Sequence, residues 1–497
     1  MNESRREFIK KTGCALSMTA LATQMHHLGM VSALAQKMEE KVDTTSTTEG
    51  GENYKALVLV YFAGGNDGNN MVIPNHSSSS VSNYAAYAAA RQPQGLAIPQ
   101  ADLLPISVPR MGGLTYGLHP ALGPVTGGTN NGIHELWGLG KLAVVSNCGT
   151  LIRPMTKAQY QNGSIQKPYQ LFSHSDQVYQ THTSISNTQA FTGWGGRIAD
   201  RLTQGSNPTG LIPMITSISG AQLFTAGQTT LPMAIANANT SLANVLNPTG
   251  FNSTAASTAR RNAFNQLRTI DLDSNYVAAA SHVTDLAMQA NAALQTSQEV
   301  TVTFPNTSMG LQLKQVARLI KKRLDLNINR QIFYVQIGGF DTHNNQLGGH
   351  VTLLSQFSQA VRAFYDEMVV QGVSNDVTVF TLTDFNRTFN PAGSGATVGS
   401  DHAWGNHMFV IGGSVAGGDF YGMNTSNGTP FPTLVIGASG PDDTDSGSGA
   451  RGRWIPTTSV DQYAATLARW FGLPENQMSQ VFPNIANFST SNLGFMI

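Results

Sequence analysis

Cysteine is nearly absent from this sequence: Cys14 and Cys148 are the two in 497 residues. Cys14 lies in a segment that reads as a removable leader, so Cys148 is left alone and no disulfide can staple the mature chain. Its fold must be held by core burial, which a chain of this length can supply. Charge is scarce as well. Charged residues make up 12% of the chain and the formal net charge is zero. There is therefore no basic footprint for nucleic acid or for an anionic membrane, and a substrate has to be recognised locally. A membrane span is also lacking near the N-terminus. The apolar stretch from Cys14 to Met25 is broken by His26 and His27 before it resumes at Leu28 to Leu34, too short and interrupted to cross ~30 Å of hydrocarbon.

What stands there instead is an export pattern. Ser4-Arg5-Arg6-Glu7-Phe8-Ile9-Lys10 sets an arginine pair before a hydrophobic and a basic residue, and Ala33-Leu34-Ala35 supplies small residues for signal peptidase. Residues 1–35 are expected to be a twin-arginine signal peptide cleaved before Gln36. The expected partners during export are the twin-arginine translocase and signal peptidase, and the expected location is the periplasm or the exterior. That route carries folded proteins, so a metal can be loaded beforehand. Residues 36–53 are polar and threonine-rich with no apolar periodicity, the composition of a disordered tether. The folded domain is expected over 54–497.

Short apolar runs recur along that domain: Ala56 to Ala63, Leu142 to Ser146, Ile332 to Ile337, Val377 to Leu382 and Met408 to Ile411. Runs apolar on both faces read as central strands of a largely parallel sheet. Leu311 to Leu326 and Val351 to Val370 show three- and four-residue apolar spacing, and Ser459-Val-Asp-Gln462 is a capping box opening a helix through Phe471. The expected fold is α/β, a largely parallel sheet flanked by helices on both faces. A Ser-, Thr-, Asn- and Gly-rich insertion around 200–260 is expected to cover the sheet.

In such a fold, ligands bind where strands end. Polar residues do follow the runs: Asp67 after the first, Asp341 and His343 after Gly338-Gly339, Asp384 and Arg387 after Thr383. Asp401, His402 and His407 lead into the last. An Asp after a strand is by itself a common turn or cap residue. Four strand ends with Asp, two with nearby His, make the inventory of a carboxylate and imidazole site for one or two divalent metals: zinc, manganese, calcium or magnesium. His119, His134, His182 and His282 lack such a setting and read as structural. Within Leu171 to Gln177 a loop enters a helix, and Ser173, or else Ser175, is placed either as a nucleophile in the positive end of the dipole or as a plain cap. Arg387 would clamp an anionic group or pair with a carboxylate.

At these residues the chain resembles a known family. The likeness runs through Leu57 to Asn70, Leu118 to Leu122, Gly140 to Asn147, Phe172 to Gln177, Gly193 to Asp200, Gly338 to His343, Thr383 to Thr388, Gly399 to Gly422 and Gly452 to Pro456. It is similar there to the exported bacterial proteins of domain of unknown function 1501, in the alkaline phosphatase-like and sulfatase-like superfamily. The resemblance implies an alkaline phosphatase-like fold, a Ser nucleophile at Ser173, and metal ligands at Asp67, Asp341, His343, Asp384, His402 and His407. The superfamily's Asp-His pair is here Asp384-Phe385, a position that His402 or Asp401 would fill from the next loop. The implied activity is metal-dependent hydrolysis of a phosphate or sulfate ester, with a small ester or sugar derivative as substrate. The same site would support phosphoryl transfer or isomerisation. The alternative is a noncatalytic member binding a cell-surface polymer or a partner protein.

Overall fold

All five apolar runs become strands, because residues buried on both faces carry no polar side chain to turn outward. The computed structural model describes residues 54–230, 232–245, 254–270, 275–295 and 299–497. The leader and tether expected at 1–53 lie outside the described residues. In chain order the strands begin with Lys55–Ala63 (β1), Val72–Pro74 (β2), Leu104–Val108 (β3), Leu114–Leu118 (β4), Leu142–Gly149 (β5) and Ile215–Ser217 (β6). They continue with Met233–Ala234 (β7), Arg330–Gly338 (β8), Val377–Thr383 (β9), Asn406–Gly412 (β10), Phe420–Tyr421 (β11) and Thr458–Ser459 (β12). β2, β4 and β3 form a small antiparallel sheet. The large sheet runs β11-β5-β10-β9-β1-β8-β6-β7, with β12 joined to β5.

Pairing in the large sheet is parallel except around β10, which runs antiparallel to both β5 and β9. The segment expected as a covering insertion contributes β6 and β7, which extend the sheet beyond β8. Its central register matters most for function. Ala63 pairs with Gly338 and Phe62 with Thr383, so β1, β8 and β9 end level and deliver three loops to one edge.

Six helices are needed to describe the site and its support: Tyr84–Arg91 (α1), His174–Thr183 (α2), Trp194–Ser206 (α3), Ser308–Lys321 (α4), Gln346–Val370 (α5) and Val460–Phe471 (α6). β1 shows how the layers form. Ala56, Val58, Val60 and Phe62 enter one core with α4 and α5, through residues such as Leu313, Val316, Leu354 and Phe357. Leu57, Leu59 and Tyr61 enter the other with α3 and α6, against Trp194, Ile198, Tyr463 and Leu467. Alternation of side chains along a strand makes two cores out of one apolar run. Local signals set the helix ends. Ser459 Oγ accepts from Asp461 N–H while Gln462 returns to Ser459 N–H, and Gly472 ends α6 in the left-handed region at φ +116°.

Candidate metal centre

The loops after β1, β8 and β9 meet where glycine lets backbones touch. Gly64 has φ +113°, and a Cβ there would lie 2.5 Å from Asp341 N. Phe340 anchors the neighbouring loop by packing on Phe62, with ring centroids 4.8 Å apart. Asp341 therefore stands at the sheet edge with its carboxylate 48% exposed. Three imidazoles close on its Oδ1: His343 Nε2 at 3.0 Å, His174 Nε2 at 3.4 Å and His402 Nε2 at 3.6 Å. His343 and His402 also face each other through their Nε2 atoms at 3.0 Å. His174, Asp341 and His402 offer ligand atoms that all lie within 4.8 Å of one another.

The far nitrogen of each ring sets its tautomer. His402 Nδ1 lies 2.7 Å from the Phe172 carbonyl, which can only accept, so Nδ1 carries the proton and Nε2 a lone pair. His174 Nδ1 lies 2.8 Å from Asp384 Oδ2, and His343 Nδ1 lies 3.3 Å from Asp401 Oδ1. Asp384 likewise holds a proton on His174 Nδ1 and turns a lone pair inward at its Nε2, which is buried with no hydrogen-bond partner. His343 lies between two carboxylates, its Nε2 nearer Asp341 than its Nδ1 is to Asp401. Two inward lone pairs and a third imidazole beside a carboxylate suit a cation. Backing of ligand imidazoles by carboxylates and carbonyls is the usual outer arrangement of a metal site. Three nitrogens with one oxygen suit zinc or a similar transition ion, whereas calcium and magnesium take oxygen ligands.

His174 is shifted upward, first by its hydrogen bond to Asp384, against the opposing effect of burial. His402 is shifted downward, chiefly by burial, with Arg387, His174 and His343 adding to the effect. Burial works to raise Asp341, but the hydrogen bond and charge of Arg387, with His174 and His343, bring it below the ordinary carboxylate value. Phe385, 2% exposed, forms the floor between His174 and His402, with centroids 4.7 and 4.6 Å from theirs.

The expected site residues divide. Asp341, His343 and His402 come together. Asp384 and Asp401 stand behind His174 and His343 rather than in the cluster, Asp384 being held by Tyr61 Oη at 3.0 Å and Gly64 N at 3.2 Å. Asp67, expected as a ligand, is instead buried against Arg91, whose two terminal nitrogens reach its oxygens at 2.8 and 3.1 Å. His407 is buried at the start of β10, stacked on Phe431, and burial pushes its pKa down to about 3. Arg387 is fully buried and pairs with the Asp341 carboxylate. It also donates to the carbonyls of Gly64, Gly65 and Ser400, so of its two expected roles the arrangement matches the pairing with a carboxylate. Ser173 stands at the N-cap position of α2 without a side-chain capping bond, and its Oγ donates to Asp176 Oδ2 at 2.6 Å, with Ser175 Oγ at 3.2 Å. His174 was missed from sequence. Its signal was its place beside Ser173 in the loop entering α2.

A family model described as "Protein of unknown function (DUF1501)" matches residues 134–430. The chain belongs to that family. The matched span of DUF1501 contains every residue of the histidine cluster and leaves β1 outside. No curated protein matches the chain in sequence. Solved structures share a loose likeness with it. Ps i-CgsB in complex with k-i-k-neocarrahexaose is 7% identical, over 88% of this chain and 77% of the other, at a TM-score of 0.29. PsFucS1 sulfatase from Pseudoalteromonas sp. is 9% identical, over 80% and 68%, at 0.27. The lipoteichoic acid synthase LtaP from Listeria monocytogenes is 9% identical, over 85% and 80%, at 0.24.

Proposed function

We propose that this DUF1501 protein is an exported, metal-dependent hydrolase of a phosphate or sulfate ester, with a small ester or sugar derivative as substrate. The observation that carries the reading is the convergence of three imidazole Nε2 atoms on Asp341 Oδ1. His174, Asp341, His343 and His402 would hold the ion, and Asp384, Asp401 and the Phe172 carbonyl would orient the rings. A bound divalent cation supplies a Lewis acid that polarises the ester oxygens. The chain supplies the nucleophile. Ser173 Oγ would bond to phosphorus or sulfur while its proton passes to Asp176. The ester bond to the alcohol breaks, the departing oxygen taking up the proton held by Asp176; one water then attacks phosphorus or sulfur, the bond to Ser173 Oγ breaks, and a proton of that water returns to the serine while the acid leaves. The Arg5-Arg6 leader supports export.

One observation favours a second reading, a noncatalytic member that binds a surface polymer or partner protein. The Arg91–Asp67 pair removes the first-strand ligand that the family resemblance implies. Metal analysis and ester turnover of the exported protein and its Ser173→Ala variant distinguish the two. Expected for the hydrolase are a metal-loaded parent and a variant that keeps the metal and loses turnover. A parent that takes up no metal favours the second reading, and unchanged turnover removes Ser173 from the chemistry.

A further inference from the structure

The turn entering α2 leaves ordinary backbone at two residues that carry side chains, Gln170 at φ +46° and Phe172 at φ +71°. The left-handed region is disfavoured wherever a Cβ is present, so a partner has to hold such a turn. Gln177, the fourth residue of α2 and 1% exposed, does this. Its Oε1 accepts the Phe172 N–H at 2.7 Å, and its Nε2 donates to Thr150 Oγ1 at 3.3 Å. The Thr150 carbonyl accepts Trp404 Nε1 at 2.9 Å, which ties the same assembly to the loop carrying His402. With its N–H held, Phe172 points its carbonyl at His402 Nδ1. Arg453 closes the clasp from outside, standing 5.1 Å over the Phe172 ring and donating Nε to the His402 carbonyl at 3.0 Å. His174 follows two residues later.

We infer that Gln177 is a positioning residue for the metal centre, acting through the left-handed turn at Phe172. It presents the carbonyl that fixes the His402 tautomer and sets the entry of α2 that aims His174. Both Nε2 lone pairs therefore depend on one buried amide. The inference rests on His174, Asp341, His343 and His402 being metal ligands; it does not depend on hydrolysis.

The test is zinc titration of the purified full-length protein against a chelating indicator, with the visible spectrum of the cobalt form as a second readout. Gln177→Leu is expected to weaken zinc binding by about 10- to 100-fold and to change the cobalt spectrum, with far-ultraviolet circular dichroism unchanged. Gln177→Glu still accepts the Phe172 N–H and should restore both readouts. Phe172→Pro has neither the N–H nor access to positive φ. It should reproduce the loss even where Gln177→Leu does not fold. Zinc binding and a cobalt spectrum like the parent's in Gln177→Leu or Phe172→Pro would overturn the inference, as would a Glu variant as weak as the Leu variant. A parent that binds no zinc would instead overturn the ligand assignment.

Discussion

Asp67 and Asp341 both follow central strands, yet one is sealed in an ion pair and the other faces a histidine cluster. Around Asp67 the partners are local and complete: Arg91 across both oxygens, Gln346 on one of them, and Arg91 Nε on the Phe389 carbonyl. His350 and His119 lie nearby, the first with Nε2 2.9 Å from Asn66 Oδ1, the second accepting the Ala121 N–H. Around Asp341 a single guanidinium nitrogen of Arg387 leaves the carboxylate open to three imidazoles. The same residue types thus make a sealed ion pair in one place and a candidate cation site in the other. The deciding difference is where the nearest arginine lies and whether the imidazole nitrogens meet donors or one another.

Breaking the sealed pair should have the largest effect of any single substitution. Arg91→Met leaves the Asp67 carboxylate buried and uncompensated, and is expected to cost about 3–5 kcal/mol in urea unfolding. Acid should act next, and on the interior. Burial pushes His119, His350 and His407 down to about 3 and His182 to about 4. The unfolded chain protonates such groups near pH 6.5, so below that pH it binds more protons than the fold. Their stabilisation is complete above about pH 6.5 and declines as pH falls toward 3, by up to about 1.4 kcal/mol per pH unit for each group. Unfolding midpoints measured between pH 7.5 and 4.5 should show this slope, and His350→Gln should make it shallower by one group's share.

The exposed cluster should answer in affinity rather than stability. Asp384→Asn is expected to weaken zinc binding about 10- to 100-fold by titration calorimetry, because it alters the acceptor that sets His174. Asp401→Asn should have the smallest effect. Its contact with His343 is longer and both side chains are more than two-fifths exposed, a setting in which ion pairs contribute about 0.2–1 kcal/mol. Equal losses from the two would mean that burial does not govern these supports.

The sequence by itself determined the layers. Runs such as Leu57 to Phe62 must be buried on both faces, and the Ser459 capping box announces α6 through contacts within four residues. It also indicated that Asp341, His343 and His402 occupy strand ends, because an apolar run stops where its burial stops. Only the tertiary structure decided which polar residues meet. Arg91 reaches Asp67 from a separate helix, and His174 joins Asp341 from the first residue of α2, 167 positions away in sequence. Whether a side chain at a strand end points into the core or across the edge depends on a rotation of one residue. Composition and spacing do not record that rotation, because it is set by packing against distant partners.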